Sequence, residues 1–268
     1  MAAGNIAVFH QAGKLQELDL SRTQVEGDIS SFSNSPKLRR LHIFETGLFG
    51  DIQALQGANK LQELLAWYTD LRGDIEVFSP VSASLSKISM GGSFVYGNLK
   101  ALSNATNLTL LGFTQCNVSG DIVALAQHTQ LAEIWLAESN TFGDISALGN
   151  MKIEKVFLDL TNVSGNLEVF LASRETVQLI SLSNTDVDGS MGVFHRAPSL
   201  QDLNLAGTHM SGEQWQKHAK TLNVVKLGLI YMALYGCRSK FTVPIHTLYS
   251  HAIHTPLEDM LHTYGPYP

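Results

Sequence analysis

Apolar residues recur along this chain in the spacing L-x-x-L-x-L. The first copy is Leu15, Leu18 and Leu20, and the next begins at Leu38. The last two apolar positions are separated by one residue, and this period of two predicts a short strand with one buried face. The leading positions of the copies are Leu15, Leu38, Leu61, Leu85, Leu108, Leu131, Ile153, Val177 and Leu200.

A second motif, G-D-I-x-x-F, follows each predicted strand. We expect its glycine to supply a backbone angle or a close approach that a Cβ would forbid. The Asp after it, as at Asp28 and Asp51, is expected to accept local backbone N–H groups in a turn rather than to form a ladder of cation ligands. The glycine returns every 22 to 24 residues, at Gly4, Gly27, Gly50, Gly73, Gly97, Gly120, Gly143, Gly165, Gly189 and Gly212.

Self-similarity with a period of 20 to 50 residues is typical of a solenoid. A unit with one strand has no partner within itself, so we predict that each coil lays its strand beside that of the previous coil in a parallel sheet. A column of small residues follows the strand, and we expect it to point inward and to bond turn backbone groups between coils. Its members are Thr23, Thr46, Thr69, Ser93, Cys116, Ser139, Thr161, Thr185 and Thr208.

The repeat resembles the leucine-rich repeat, and its G-x-I element resembles the plant-type subclass of that family. The resemblance covers about Gly4 to Gly212. It departs from the family in two places, because Thr, Ser or Cys replaces the usual asparagine and the usual proline after G-x-I is missing. The resemblance implies a right-handed α/β solenoid with a parallel β-sheet on its concave face. It also implies kinship with receptor-like proteins, receptor-kinase ectodomains and inhibitors of polysaccharide-degrading enzymes.

The pattern divides the chain into a partial leading repeat at 1–14, about nine solenoid repeats at 15–216 and a non-repeat tail at 217–268. Because the chain opens in the middle of a coil, we hypothesise that it is a fragment of a longer protein. The tail is expected either to cap the open end of the stack or to be disordered. Its apolar run at 222–235 is shorter than the roughly 20 residues that a membrane span needs.

Few residues indicate chemistry. The net charge of −6 argues against a nucleic-acid partner, which normally meets a basic surface. His246, His251 and His254 of the tail fit no metal-ligand spacing, so we predict no metal and no cofactor. No nucleophile elbow, phosphate loop or zinc-protease motif occurs in the sequence, so we predict that the protein is not an enzyme. Cys116 is predicted to be a buried structural thiol.

Four N-x-S/T sequons bear on the compartment, because they would be used only in a secreted protein. The resemblance implies an extracellular or cell-surface location if the true start of the protein is missing, and a cytoplasmic location otherwise. The sequence does not determine the oligomeric state. The sequons are Asn104, Asn107, Asn117 and Asn162.

The outward positions beside the buried leucines differ from repeat to repeat and therefore suit recognition. Adjacent aromatic and apolar side chains are expected in two places, and such patches mark interaction sites. We predict that a protein or peptide partner binds them on the concave face, unless the rings cover each other or are covered by the tail. The alternative is a structural or adhesive solenoid that binds glycan, an enzyme or ice through repeated hydroxyls. The predicted binding residues are Phe44, Leu65, Trp67, Tyr68, Trp135 and Phe157.

Overall fold

The computed structural model describes residues 3–209, which form a stack of parallel coils. We number the coils 1 to 9 by the strands of the sheet that carries the L-x-L motif, which we call the concave sheet. Each strand of this sheet pairs in parallel with the strand of the next coil. Leu18 is thus paired with Leu41, and Leu41 with Leu64. The nine strands are Glu17–Asp19, Arg40–His42, Glu63–Leu65, Lys87–Ser89, Leu110–Gly112, Glu133–Trp135, Lys155–Phe157, Leu179–Ser181 and Asp202–Asn204. The predicted solenoid and its parallel sheet are confirmed.

A second parallel sheet, which the sequence analysis did not predict, runs along the stack. It is built from the segment around the repeated glycine, where buried and exposed residues alternate, as with buried Val25 and exposed Glu26. The strands of this second sheet are Ala3–Asn5, Gln24–Asp28, Gly47–Asp51, Asp70–Asp74, Phe94–Asn98, Asn117–Asp121, Asn140–Asp144, Asn162–Asn166 and Asp186–Asp188. Each coil therefore crosses two sheets before it turns back.

The helical part of each coil is a 3₁₀ helix, and most of these segments have only four residues. The bounds are Ile6–Phe9, Ile29–Phe32, Ile52–Leu55, Ile75–Ser84, Leu99–Leu102, Ile122–Leu125, Ile145–Leu148, Leu167–Ser173 and Met191–Phe194. Buried side chains of these helices, such as Ile29 and Phe32, close the core opposite the concave sheet, as predicted.

The Asp of the G-D-I motif caps the helix that follows it. Asp28 Oδ1 accepts a hydrogen bond from the backbone N–H of Ser30 at 2.8 Å, and Asp51 does the same for Gln53. The predicted local role of this column is confirmed. The carboxylate also explains the glycine of the next coil, because a Cβ on Gly50 would lie 2.6 Å from Asp28 Oδ1. Gly50 has φ +108°, so the position requires glycine both for its backbone angle and for the close approach.

The Thr and Ser column points inward as predicted, but its expected bonds between coils are wrong for most members. Thr69 Oγ1 donates to Ala66 O at 2.7 Å, and Thr161 Oγ1 donates to Leu158 O at 2.6 Å, within their own coils. In each case the hydroxyl lies in a turn, three residues after the carbonyl group that accepts its hydrogen bond. Cys116 differs, because its Sγ lies 3.2 Å from Met90 O in the preceding coil.

Cys116 and His128 also lie in the core. Cys116 is buried as predicted, and loss of hydration raises the pKa of its thiol. His128 is fully buried, and its two ring nitrogens lie 3.0 Å from the carbonyl oxygens of Leu125 and Leu102. The expectations for the tail histidines and the segment 217–268 lie outside the described residues, and the division into three segments stays a prediction.

Candidate functional site

The outward positions of the concave sheet line up in columns that run from coil to coil. His42 lies opposite Leu65, and Trp135 lies opposite Phe157. The backbone ladder continues past the strands, since Glu45 N donates to Trp67 O at 2.9 Å. In each coil these backbone hydrogen bonds end at a residue with positive φ, such as Tyr68 at φ +51°. Neighbouring residues in a column therefore come from successive coils.

The first predicted cluster forms around a ring stack in coils 2 and 3. The rings of Phe44 and Trp67 are 3.8 Å apart and nearly parallel, and the guanidinium of Arg22 lies 5.5 Å from the Phe44 centroid. Trp67 is only 7% exposed, whereas Tyr68 is 39% exposed. The Tyr68 ring lies over Gly92 of coil 4, where a Cβ would be 2.7 Å from Tyr68 Cδ1.

The second predicted cluster is a stack of Trp135 on Phe157 in coils 6 and 7, with ring centroids 4.1 Å apart. Together with Ala137 and Leu179 these rings form a small cluster separate from the main core. Trp135 Nε1 donates to Glu133 Oε2 at 3.2 Å. Trp135 is 5% and Phe157 8% exposed, so both rings are buried although they project from the outer face of the sheet. Their role in binding stays a prediction.

The two clusters do not meet. Coils 4 and 5 lie between Trp67 and Trp135, and a strand spacing of about 4.8 Å places the two stacks about 14 Å apart along the sheet. In the two columns that carry the rings, coils 4 and 5 hold only small residues: Ser89, Gly91, Gly112 and Thr114. All four are buried.

Three polar atoms in and beside this gap have no hydrogen-bond partner among the described residues. They are Trp67 Nε1, Ser89 Oγ and Thr114 Oγ1. Ser89 is 0% and Thr114 4% exposed, so solvent does not reach them in this conformation. Sequence reasoning missed these atoms, because it could not tell which outward positions would be buried.

A network of ionisable side chains flanks the first stack. Arg40 pairs with Glu17 at 2.5 Å, and this hydrogen bond raises the pKa of the guanidinium. His42 Nε2 lies 3.0 Å from Glu63, which also pairs with Lys87 at 3.8 Å. The alternation of charge at equal repeat positions was visible in the sequence as Glu17, Arg40, Glu63 and Lys87.

A carboxylate with neutral partners flanks the second stack. Asp159 Oδ1 accepts from Ser181 Oγ at 2.5 Å, from Ser183 N at 3.0 Å and also from the Ser183 hydroxyl. Glu138 in the preceding coil accepts from the neutral amide of Gln115 at 3.1 Å. Within residues 3–209, neither carboxylate forms an ion pair with Lys or Arg.

The concave face carries more acidic than basic side chains. Its acidic residues are Glu17, Asp19, Glu45, Glu63, Glu133, Glu138, Asp159 and Asp202, and its Lys and Arg residues are Arg22, Arg40, Lys87 and Lys155. Among the described residues, no cluster of three or more potential metal ligands occurs. No helix in the described part of the chain is both long and apolar enough to cross a membrane.

No protein-family model and no curated protein matches the sequence. Solved structures do match it. The plant peptide hormone receptor RGFR1 in complex with RGF2 is 24% identical with a TM-score of 0.64, over 78% of this chain and 39% of that chain. A plant ice-binding protein has a TM-score of 0.64 at 19% identity, over 78% and 70% of the two chains. Internalin C2 from Listeria monocytogenes has a TM-score of 0.56 at 15% identity, over 75% and 84%. The chain thus spans less than half of the RGFR1 chain, and the three likenesses bear on the fold alone.

Proposed function

We propose that this leucine-rich-repeat solenoid is a non-catalytic scaffold that binds a protein or peptide partner on its concave sheet face. One observation carries the proposal. The inward columns hold an apolar residue in every coil, whereas the outward columns combine charged, aromatic and small residues that differ between coils. A repeating interior with a non-repeating exterior suits recognition of one specific partner.

The likeness to solved receptors supports the same proposal. RGFR1 is described as a peptide hormone receptor in complex with RGF2, and HAESA, with a TM-score of 0.62, is described in complex with the peptide hormone IDA and a co-receptor. We therefore propose that this chain is the ligand-binding part of a receptor-like protein located outside the cell or at its surface. Occupancy of the exposed sequon at Asn104 would test the location by mass spectrometry of the natural protein.

An adhesive solenoid is the second candidate, favoured by the likeness to the plant ice-binding protein. Adhesion to a regular surface needs one hydroxyl column that faces out in every coil. In this protein the Thr column faces in, and Thr46 Oγ1 donates to Ile43 O at 2.6 Å. Adhesion would give small additive losses when coils are altered singly, whereas a discrete partner would be lost through a few positions.

A peptide selection tests the proposal. Random heptapeptides displayed on phage would be selected on the immobilised protein, and the enriched peptides would be assayed in solution. Leu65→Arg adds a long charged side chain to the half-buried middle of the concave sheet, and Val123→Arg adds the same side chain to an exposed position on a 3₁₀ helix. We expect Leu65→Arg to weaken binding at least about tenfold and Val123→Arg to leave it unchanged. No enrichment, or loss of binding in Val123→Arg alone, would refute concave-face binding.

A further inference from the structure

We infer that Asn117 and Asn162 carry N-linked glycans, and that the first sugar of each glycan packs on an exposed aromatic ring of the second sheet. The ring beside Asn117 is Tyr96, and the ring beside Asn162 is Phe142. The inference rests on the proposed extracellular location and adds which sequons are modified and what their sugars contact. It begins from the register of the second sheet, which sets each asparagine next to a ring of the preceding coil.

The two asparagines hold the same repeat position in coils 5 and 7. Each of them begins a strand of the second sheet and is exposed. Asn117 is paired in parallel with Tyr96, and Asn162 is paired with Phe142. Residues paired in this way lie on strands about 4.8 Å apart and point to the same side of the sheet. Each asparagine therefore stands beside its ring on the outer face.

The two rings are open to solvent. Tyr96 is 48% and Phe142 46% exposed, whereas the residues on either side of them in the strand are more buried, as Val95 is. Within residues 3–209, neither ring stacks on another aromatic ring. Each ring therefore has apolar surface that a sugar attached at the neighbouring position could cover.

The amide nitrogens of the two asparagines are available for attachment. Within the described part of the chain, Nδ2 of Asn117 and Nδ2 of Asn162 donate no hydrogen bond. Asn117 Oδ1 accepts from Asn140 Nδ2 at 2.8 Å, and modification of Nδ2 leaves this bond in place. The other sequons differ in their surroundings. Asn107 Nδ2 donates to Ala83 O at 2.8 Å, and Asn104 follows a 3₁₀ helix instead of lying in the second sheet.

The modification joins the amide nitrogen to a sugar carbon. The donor is an oligosaccharide linked to a polyprenyl diphosphate, and the new bond connects Asn Nδ2 to C1 of N-acetylglucosamine. The C1–O bond to the diphosphate breaks, the diphosphate leaves with the electron pair, and Nδ2 loses one proton. The acceptor motif excludes only proline at its middle position, and both of these sequons read Asn-Val-Ser.

The surroundings of each ring suit a sugar. A pyranose has a face of C–H groups, and the face of an aromatic ring is partly negative, so the two attract each other. Contact also removes apolar ring surface from water. Asp74 is paired with Tyr96 on the side away from Asn117. Asp121 is paired in the same way with Phe142. The Oδ1 atoms of both carboxylates cap the next helix, which leaves Oδ2 to accept from sugar hydroxyl groups.

Glycopeptide mass spectrometry of the natural protein tests the attachment. We expect glycans at both Asn117 and Asn162. If Asn104 is occupied and these two are not, the inference is wrong and the proposed location stands. If all four sequons are unmodified, the inference fails together with the location.

Hydroxyl-radical footprinting tests the packing, with the chain and its variants secreted from cultured eukaryotic cells. Asn117→Gln removes the glycan beside Tyr96, so Tyr96 should be oxidised severalfold faster in this variant than in the parent. Tyr68, which is 39% exposed on the concave side, is the internal control and should react equally in both. Equal oxidation of Tyr96 in the two proteins would overturn the packing on the ring.

Thermal melting measures the same contact independently. Asn117→Gln/Asn162→Gln should lower the melting temperature by about 2–4 °C, because the rings return to water. Asn104→Gln, which removes a glycan with no ring opposite it, should melt like the parent. In a Tyr96→Ala/Phe142→Ala background the loss of both glycans should no longer change the melting temperature. An equal shift with and without the rings would refute the packing.

Peptide binding separates this inference from the proposed function. The glycans lie on the second sheet, so the heptapeptides selected on the concave face should bind all of these variants with unchanged affinity. Failure of the mass-spectrometric or melting test therefore leaves concave-face binding intact. Failure of the peptide selection likewise leaves the glycan sites standing.

Discussion

The glycine of the G-D-I motif offers a quantitative test of how neighbouring coils fit together. In Gly50→Ala the new Cβ would lie 2.6 Å from Asp28 Oδ1 and 3.2 Å from Ile29 Cγ2 of the preceding coil. Gly50 also has φ +108°, a conformation that alanine rarely adopts. The substitution therefore strains its own backbone and displaces the carboxylate that caps the neighbouring helix.

The cost can be built from these two effects. A residue held in a sparsely populated backbone region costs about 1–3 kcal/mol. Displacement of Asp28 weakens its hydrogen bond to Ser30 N, and loss of such a cap costs about 0.5–2 kcal/mol. We expect Gly50→Ala to lower the free energy of unfolding by about 2–5 kcal/mol.

Urea unfolding followed by circular dichroism measures this difference. Gly57→Ala is the control, because Gly57 has no positive φ and its added Cβ would meet only Ser33 O at 3.5 Å. In an Asp28→Ala background the clash with the carboxylate disappears, so the cost of Gly50→Ala should shrink, with a coupling of about 0.5–2 kcal/mol. Equal costs for Gly50→Ala and Gly57→Ala, or no coupling with Asp28, would refute the proposed reason for the glycine.

Two further predictions concern buried groups. Burial raises the pKa of the Cys116 thiol, so in a Cys237→Ser background a thiol reagent at pH 8 should modify Cys116 slowly in the folded protein and rapidly in urea; equal rates would contradict its burial. His128→Met, which places in coil 5 the residue that Met151 supplies one coil later, should lower the free energy of unfolding by about 1–3 kcal/mol, because the contacts of the imidazole with the carbonyl groups of Leu102 and Leu125 are lost. An unchanged urea midpoint would contradict this role.

The sequence determines the columns of this fold because its period is nearly constant. Counting 23 residues from Leu18 gives Leu41, and the two are paired strand residues in the structure. The second sheet was harder to predict, because Gln24–Asp28 contains a glycine, and glycine weakens a strand assignment. The helices could not be assigned as α or 3₁₀ by periodicity, since a four-residue segment such as Ile29–Phe32 is too short to show a helical period.

The candidate site was predictable in position but not in exposure. Column spacing correctly placed Phe44 beside Trp67 and Trp135 beside Phe157. It could not show that the rings stack and are buried, because this depends on how side chains tilt across the sheet. Nor could it identify Ser89 and Thr114, whose small side chains resemble those of any turn and become notable only when their burial without a partner is known.

The central claim is that a partner binds the concave sheet face, and hydroxyl-radical footprinting of the complex with a selected peptide tests it most directly. Tyr68, 39% exposed beside the site, and Tyr96, 48% exposed on the second sheet, provide a matched pair of tyrosines in one sample. The account predicts that the peptide slows oxidation of Tyr68 severalfold and leaves Tyr96 unchanged. Protection of Tyr96 with none at Tyr68 would contradict it.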